Sequence, residues 1–442
     1  MRRSIVAAVL VLVLLLPGAG PGAARTGSTD AVLAATLANG LRVLLLEDRR
    51  SPIVSFQVWY RVGSRNEVRG ASGIAHFLEH MLFKGTPRYG RGEFARLIEQ
   101  NGGQDNAFTS HDVTSYFVNL GSDKLDLVID LEADRMRNAL LDPKEIESER
   151  EVIIEERRTR TEDNPGGFLA EEVTSLAFRA HPYGFPVIGW LADLKRITAA
   201  EIRAFYDTYY VPNNAIVVAV GDFDPRETLA KIRATFGAIP RGADPPPVLT
   251  VEPPQNGDRR VVVRKEAQLP MVYAAWPVPN QQSPDAPALE VLSQILSGGR
   301  ASRLYRHLVH ERQLALNAGG DYSYFSLDPN LFWFWATPMP GQTPEAVEAA
   351  LLAEMDRLRK EPVSDEELAR ARNQLEASFV FQEDSVYRRN ALLARFELIG
   401  GYAEKDRFVP RLRAVTAADL LRVAGTYFPE DRKNVGVLLP QP

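Results

Sequence analysis

Apolar and polar residues alternate along this chain with two different periods. Residues 53–60 (Ile-Val-Ser-Phe-Gln-Val-Trp-Tyr) follow the period of two that is typical of a strand. Residues 73–83 place Ile, Ala, Phe, Leu and Met at the spacing of helical turns, which predicts a helix. Upstream of both, the Asn39-Gly40 pair between two short apolar runs predicts a tight turn between strands. The chain is therefore expected to begin with strands that lead into a largely apolar helix.

Helical and strand-forming segments continue to alternate after this helix. The most clearly marked is a helix with Asp142 as its N-cap and Pro143 in its first turn. The other predicted elements are helices over 93–101, about 122–139 and from Thr198 onward, and strands within 106–120 and over 215–220. This mixture of helices and strands predicts the α+β class.

Two sequence patterns occur twice, with almost the same spacing. Residues 197–201 (Ile-Thr-Ala-Ala-Glu) recur 218 residues later as 415–419 (Val-Thr-Ala-Ala-Asp), and residues 142–146 recur in similar form 222 residues later as 364–368. Because the two offsets agree within a few residues, the chain is predicted to be two copies of one strand-helix unit. The Pro-rich stretch 242–258 is predicted to be the linker between them.

The first residues have the pattern of a secretory signal peptide. Two arginines follow the initial Met, twelve uncharged apolar residues extend from Ile5 to Leu16, and small residues precede Ala24. Cleavage after Ala24 leaves predicted domains at 25–241 and 259–442. The protein is therefore expected to be exported to a bacterial periplasm or secreted, with no membrane span once residues 1–24 are removed.

Composition and charge exclude some classes of function. The formal net charge is −5, and it becomes −7 when Arg2 and Arg3 are removed with the leader, which argues against a nucleic-acid partner. The chain contains no Cys, so it forms no disulfide. With 45% hydrophobic residues, it is long enough to build two domains with substantial cores.

His76 and His80 lie four residues apart on the helix predicted for residues 73–83. This spacing places both imidazoles on one face, with Glu79 beside them. A catalytic Zn²⁺ uses such ligands and keeps one position open, and an adjacent carboxylate is the expected general base, so the motif indicates metal-assisted hydrolysis. Two histidines at this spacing also occur as satisfied core residues. The adjacent Glu79 favours the interpretation as a metal site. Burying three titratable groups together costs free energy unless a cation compensates them.

The order His-x-x-Glu-His is the inverse of the His-Glu-x-x-His zinc motif. Together with the two-copy layout, it makes the chain resemble the pitrilysin/insulinase superfamily, and most closely the half-size members related to the mitochondrial processing peptidase. The resemblance covers nearly the whole chain after the leader. It implies half of a clam-shell chamber, one Zn²⁺ per chain held by His76 and His80, and Glu79 as the general base that activates the zinc-bound water.

The resemblance also implies a third ligand on the Glu-rich helix that begins at Asp142. A Glu-rich helix usually presents a solvated face, but Glu149 and Glu156 are seven residues apart and therefore share a face. The family places the third ligand at Glu156 and a supporting carboxylate at Glu149. It also makes the strand at Asn106 and Ala107 an open edge that pairs with extended substrate.

The second copy lacks this chemistry when Gly85 is aligned with Gly299. This alignment replaces His76, Glu79 and His80 with Glu290, Ser293 and Gln294. The offset of 222 replaces Glu149 and Glu156 with Ala371 and Ser378. A metal site needs ligating side chains that this set does not offer. Only the first copy is therefore predicted to bind metal.

Two positions of the second copy depart from the family. Val309 and Leu316 stand where family members usually have an Arg and, seven residues on, a Tyr that grip the substrate and steady the tetrahedral intermediate. A shifted register could use His310 or Arg312 instead. The resemblance implies a heterodimer with a homologous partner that carries the Arg and the Tyr, and a homodimer is the competing arrangement.

The predicted function is that of a zinc metalloendopeptidase subunit that hydrolyses extended or unfolded peptides. The alternatives are a non-catalytic scaffold or assembly subunit of the same fold and a metal-storage or sensing protein. The intact set of motif residues argues against a scaffold, and a carboxylate placed as a base argues against storage. His111 and His181 are not expected to be ligands.

Overall fold

Strands of both sequence copies assemble into two separate sheets in a computed structural model that describes residues 31–441. The predicted signal peptide, residues 1–24, lies outside the described residues and stays a prediction. The alternation of residues 53–60 and the continuous apolar run 215–220 form neighbouring central strands of the first sheet. Its strands are β1 Leu33–Thr36, β2 Arg42–Glu47, β3 Ile53–Tyr60, β4 Gln104–Thr109, β5 Thr114–Gly121 and β6 Ala215–Gly221.

The first sheet has the order β1-β2-β6-β3-β5-β4. β2 and β6 are parallel, and the other neighbours are antiparallel. Every residue of β6 is buried, which a strand covered on both faces requires. β4 is the last strand of the order, so one of its edges has no neighbouring strand among residues 31–441.

The helices of the first copy surround this sheet. The helix of the His-x-x-Glu-His motif and the helix begun by Asp142 both appear where their sequence patterns predict them. The helices are α1 Ile74–Met81, α2 Glu93–Gln100, α3 Leu125–Asn138, α4 Pro143–Arg157, α5 Pro165–Ala177, α6 Leu191–Leu194, α7 Ala199–Tyr209 and α8 Pro225–Ala234.

The second copy repeats the arrangement with five strands. Its strands are β7 Arg259–Glu266, β8 Met271–Val278, β9 Ala315–Tyr322, β10 Asn330–Pro338 and β11 Asn434–Gln441. Its helices are α9 Ala286–Ser297, α10 Pro344–Lys360, α11 Asp365–Gln382, α12 Val386–Ile399, α13 Lys405–Ala414 and α14 Ala417–Tyr427. The order β7-β11-β8-β10-β9 matches β2-β6-β3-β5-β4 strand for strand, including the parallel pair, so the predicted repeat and the α+β class are confirmed.

Each copy contributes one helix to the sheet of the other. α5 from the first copy packs on β7, β8 and β11, where Leu169 and Val173 contact the apolar face of the second sheet. α12 from the second copy packs on β3 and β6, where Leu393 contacts Trp59 and its neighbours. Because the second face of each sheet is buried by a helix from the other copy, the two copies fold against each other and residues from Val32 onward form one compact unit.

A buried amide fixes α12 on the first sheet. The Nδ2 of Asn390 donates hydrogen bonds to the carbonyl oxygens of Ser55 and Val218, both at 2.8 Å. On the second sheet, Gly436 allows α5 to approach closely, since a Cβ there would lie 2.3 Å from Val173 Cγ2. Polar anchoring on one sheet and close backbone approach on the other therefore determine where the exchanged helices lie.

The Pro-rich stretch 242–258 contains no helix or strand. Leu249 and Val251 within it are 81% and 82% exposed, so it lies on the surface. Across residues 31–441, no helix combines the length and the apolar composition that a membrane crossing requires.

Because α12 covers the first sheet, a cavity made between them should destabilise the folded chain. Leu393→Ala should lower the free energy of unfolding by about 2–5 kcal/mol, because it removes a fully buried side chain from the layer between α12 and the first sheet. Urea unfolding followed by circular dichroism measures the loss. The control Val380→Ala changes a side chain that is 51% exposed and should stay within about 0.5 kcal/mol of the native chain. An equal effect of the two substitutions would contradict the assigned role of α12.

Candidate metal centre

The N-terminus of α1 is held by a buried carboxylate. Gly73 precedes the helix with φ +87°, and a Cβ at this position would lie 2.6 Å from the carbonyl oxygen of Ile188, so glycine is required there. The backbone N–H groups of Gly73 and Ala75 donate to Glu67 at 2.8 and 2.9 Å. Burial raises the pKa of Glu67, and these two hydrogen bonds oppose the rise. Gly73 has no side chain that could cap the helix, and Glu67 accepts hydrogen bonds from the first backbone N–H groups in its place.

The side chains of His76 and His80 point from α1 toward Glu156 on α4. His76 Nε2 lies 3.7 Å and His80 Nε2 lies 3.4 Å from Glu156 Oε2. Within residues 31–441, these three form the one group of three or more such side chains whose ligand atoms all lie within 4.8 Å of one another. Donor atoms around a tetrahedral Zn²⁺ with bonds near 2.05 Å are about 3.3 Å apart. The two distances to Glu156 Oε2 are already close to that spacing.

The Oε2 atom of Glu156 is buried and makes no hydrogen bond. The other oxygen of this carboxylate, Oε1, forms an ion pair with Arg160 at 2.8 Å. A buried carboxylate oxygen without a partner is costly unless a cation or a donor compensates it. The donor set of two imidazoles and one carboxylate therefore fits a Zn²⁺ ion at the point where Oε2 and the two Nε2 atoms meet.

Glu149 lies two turns before Glu156 on α4 and contacts the far side of His80. Its Oε1 is 2.8 Å from His80 Nδ1, and its Oε2 forms an ion pair with Lys84. A carboxylate on the second nitrogen of an imidazole fixes which nitrogen carries the proton and leaves Nε2 available as a ligand. The structure thus brings Glu149 into the supporting position that the family resemblance implies.

The two histidines have opposite pKa shifts. Burial, reinforced by the neighbouring His80, lowers the pKa of His76 to about 4. Burial also acts to lower the pKa of His80, but the hydrogen bond to Glu149 and the adjacent Glu156 carboxylate outweigh it and raise the value to about 9. Without a metal, the pair therefore holds one proton near neutral pH, on His80. A cation at the site would take the place of that proton.

Glu79 is buried beside the three converging side chains and is held by the neighbouring sheet. Thr109, the last residue of β4, donates a hydrogen bond from Oγ1 to Glu79 Oε2 at 2.5 Å. Burial raises the pKa of Glu79, and the Thr109 hydrogen bond opposes the rise. Glu79 is thus a carboxylate whose pKa lies nearer neutrality than usual, which suits a group that must take up a proton.

The two predicted substrate contacts lie on β4, at the free edge of the sheet. Asn106 is exposed, and Ala107 packs against the core on the α1 side. The backbone N–H of Ala107 donates to the side chain of its neighbour, Asn106 Oδ1, at 2.8 Å. This local bond occupies an edge donor that would otherwise be open to another strand.

The remaining predicted residues lie outside this cluster. Val309 packs against the core of the second copy, and Leu316 is 44% exposed on β9. His111 Nδ1 lies 2.8 Å from Ser64 Oγ, and His181 Nε2 lies 3.1 Å from Asp328 Oδ2. The last two histidines are therefore engaged in hydrogen bonds within the fold.

The corresponding positions of the second copy make other contacts. Gln294 Nε2 donates to Gln374 Oε1 on α11 at 2.9 Å. Glu290 is buried, and burial, reinforced by Asp321, raises its pKa to about 8. A neutral carboxylic acid and an amide do not make a metal site.

Three supporting residues were not identified from the sequence. Thr109 holds Glu79, Lys84 pairs with Glu149, and Glu67 anchors α1. Thr109 lies three residues after Asn106 in the segment already assigned to substrate, and alternation along a strand would have placed it on the same side as Ala107. The sequence contains no comparable signal for Lys84 or Glu67.

Two family models match the chain. The model described as Insulinase (Peptidase family M16) matches residues 42–189, and the model described as Peptidase M16 inactive domain matches residues 196–375. The first range contains the whole His/Glu cluster. The second range contains the helix on which the cluster is replaced.

Known proteins extend the match over almost the whole chain. It is 33% identical over 410 residues to the zinc protease PqqE of Helicobacter pylori, and the alignment covers 92% of each chain. The crystal structure of a protease from Helicobacter pylori has a TM-score of 0.90 at 32% identity, covering 93% of this chain and 100% of that one. The periplasmic protease PqqL from Escherichia coli shares the fold, with a TM-score of 0.76 at 20% identity, over 95% of this chain and 48% of that chain. The chain belongs to the insulinase family, peptidase family M16.

Proposed function

We propose that this chain is the zinc-binding subunit of a metalloendopeptidase that cleaves extended or unfolded peptides. The observation that carries the proposal is the meeting of His76 Nε2, His80 Nε2 and Glu156 Oε2, an oxygen that makes no hydrogen bond. Glu79 is buried beside them. The name of the Helicobacter pylori relative, a zinc protease, supports zinc as the metal and peptide bonds as the substrate. One Zn²⁺ per chain follows from a single set of ligands in the described residues.

The residues have distinct roles in this proposal. His76, His80 and Glu156 hold Zn²⁺, which when bound supplies a Lewis acid that polarises a carbonyl and makes water acidic. Glu149 keeps the His80 Nδ1 proton in place. Glu79 accepts a proton from the attacking water and later returns it to the leaving amine, while Thr109 fixes its orientation.

The free edge of β4 is proposed to bind the peptide as an added strand. Main-chain hydrogen bonds in such a complex do not depend on sequence, which suits a peptidase for extended chains. The Ala107 N–H that now bonds to Asn106 would turn to the peptide instead, with Asn106 displaced into a contact with it. Asn106 and Ala107 are thus proposed as substrate contacts, beside the strand end at which Thr109 holds the base.

The role of Glu79 is tested by measuring zinc content and peptidase activity separately in one variant. Glu79→Gln should retain about one zinc per chain, because it removes no ligand, while cleavage of an unfolded peptide falls by about 10²–10⁴-fold. Metal analysis and a fluorogenic peptide assay measure the two quantities, and Glu99→Gln on the exposed face of α2 is the control. Loss of zinc together with activity would show that Glu79 is a ligand instead. A chain that holds zinc but never cleaves peptide, even beside its partner, would instead be a scaffold.

The ligand assignment is tested on α4 with three neighbouring carboxylates. Glu156→Gln should purify largely free of zinc, because one of three protein ligands is lost. Glu149→Gln should weaken zinc affinity by about 10–100-fold, as changes behind a ligating imidazole do. Glu155→Gln, at an exposed site paired with Arg158, should change nothing. Zinc affinities from competition with a chelator rank the variants, and full occupancy of Glu156→Gln would mean that the third ligand lies elsewhere.

A homologous partner is proposed to complete the active site. Val309 and Leu316 cannot supply the charge or the hydroxyl that steadies a tetrahedral intermediate, and we propose that another chain supplies these groups. The match to only 48% of the longer periplasmic protease PqqL supports an arrangement of two such units, each forming half of a chamber. The leader pattern and the periplasmic location of that neighbour support export to the periplasm.

Mixing tests the need for a partner. The purified chain should show little peptidase activity alone and gain activity when a homologous chain that carries the Arg and Tyr pair is added. Size-exclusion chromatography with light scattering should then show a one-to-one complex. A homodimer of this chain with full activity would rule out the heterodimer, and substitution of His310 in it would show whether that residue replaces the missing pair.

A further inference from the structure

A groove runs between the two copies on the face of the first sheet that lies opposite the metal centre. Two adjoining cavities of about 370 and 330 Å³ share Trp59, Phe108 and Arg395 as lining residues. We call the two cavities together the α12 groove, because Arg395 belongs to α12. Phe325 from the second copy lines the larger cavity, so both copies build its wall.

Side chains of three strands form a row that leads to this groove. Trp59 on β3 is opposite Ser115 on β5, and Ser115 is opposite Phe108 on β4. The rings of Trp59 and Phe108 meet edge to face over Ser115, with centroids 5.3 Å apart. Because β4 is the free edge, the next position in this row belongs to whatever strand is added there.

Successive residues of β4 face opposite sides of the sheet. Thr109 faces α1 and bonds to Glu79, whereas Phe108 packs with Trp59 on the α12 side. A peptide added to β4 must alternate in the same way, because side chains of a strand point to the two faces in turn. One set of its side chains would therefore face the metal centre, and the residue opposite Phe108 would face the α12 groove.

Arg395 is the charged group at the shared part of the groove. It is exposed, and among the described residues it has no ion pair or hydrogen bond; its guanidinium lies 5.7 Å from the centroid of the Phe325 ring. Aromatic walls lower the local dielectric, which strengthens the attraction of a guanidinium for a carboxylate. Three carboxyl groups line the larger cavity but not the smaller one, those of Asp112, Glu290 and Asp321. The smaller cavity has Arg388 as a second cation, so its charge favours an acidic side chain.

We infer that the α12 groove is a specificity site in which Arg395 binds an acidic side chain of the peptide substrate. The acidic residue occupies the position opposite Phe108, next to the residue whose side chain faces Glu79. This inference rests on the proposed function, because the bound peptide is a substrate only if the chain is a peptidase. It assigns to the second copy, which holds no metal ligands, a part in selecting the peptide.

Binding and cleavage together test the inference. Peptides with both ends blocked carry Glu, Ala or Lys at each position in turn, so that any carboxylate effect comes from a side chain. Their affinities are measured by fluorescence anisotropy on the full-length Glu79→Gln chain, where no cleavage interferes. The kcat/KM values are measured on the native chain together with the homologous partner chain. At one position, the Glu peptide should bind on the order of tenfold more tightly than the Ala peptide, as expected for a hydrogen-bonded charge.

Two substitutions at Arg395 test whether the charge of its side chain causes the preference. Arg395→Gln should abolish the preference for Glu over Ala, and Arg395→Glu should reverse it in favour of Lys. Arg407→Gln, at an exposed arginine of α13 outside the groove, should leave the preference intact. Raising the salt concentration should weaken the preference in the native chain, because an exposed ion pair is screened.

The outcomes separate this inference from the proposed function. Equal binding of Glu and Ala peptides at every position, a preference for Lys in the native chain, or a preference for Glu that survives Arg395→Gln would each overturn the inference. Selective binding of the Glu peptide with no cleavage of any peptide, even with the partner chain present, would overturn the peptidase and leave the acidic site standing.

Discussion

Burial of two imidazoles and a carboxylate at one point is the constraint on which the first copy depends. Each of these groups loses hydration when it is placed between α1 and α4, and the loss must be compensated locally. Glu149 and Lys84 compensate His80 on one side, and Arg160 compensates one oxygen of Glu156 on the other. The remaining Glu156 oxygen makes no hydrogen bond and faces the Nε2 atoms of both imidazoles. A cation bound between these three atoms would compensate the carboxylate directly.

The exchange of α5 and α12 connects this centre to the second copy. The strand β3, which lies under α12, is also the strand that carries Trp59 in the row leading to the free edge. The sheet that presents Thr109 to Glu79 is consequently stabilised by a helix from the other copy. The second copy therefore has a structural role in the first copy. Without α12, one face of the first sheet would be exposed to water.

Much of this arrangement was predictable because it depends on local periodicity. The spacing of His76 and His80, the Asp142 cap and the repeated patterns near residues 197 and 415 each specify an element or its repetition. Other features depend on contacts between distant segments that no local pattern encodes. Strand β6 is apolar throughout, which indicates that both faces are covered but not that α12 of the other copy covers one of them. The Glu79–Thr109 hydrogen bond likewise joins residues 30 apart in sequence, and only the sheet edge brings them together.

The central claim is that His76, His80 and Glu156 hold one zinc ion, and X-ray absorption at the zinc edge of the purified full-length chain tests it most directly. Coordination by these three side chains predicts a shell of nitrogen and oxygen ligands at about 2.0–2.1 Å, including the outer-shell scattering of two imidazole rings. Glu156→Gln should lose this signal, and Glu155→Gln should keep it. Zinc scattering with fewer than two imidazole rings, or an unchanged spectrum in Glu156→Gln, would contradict the account.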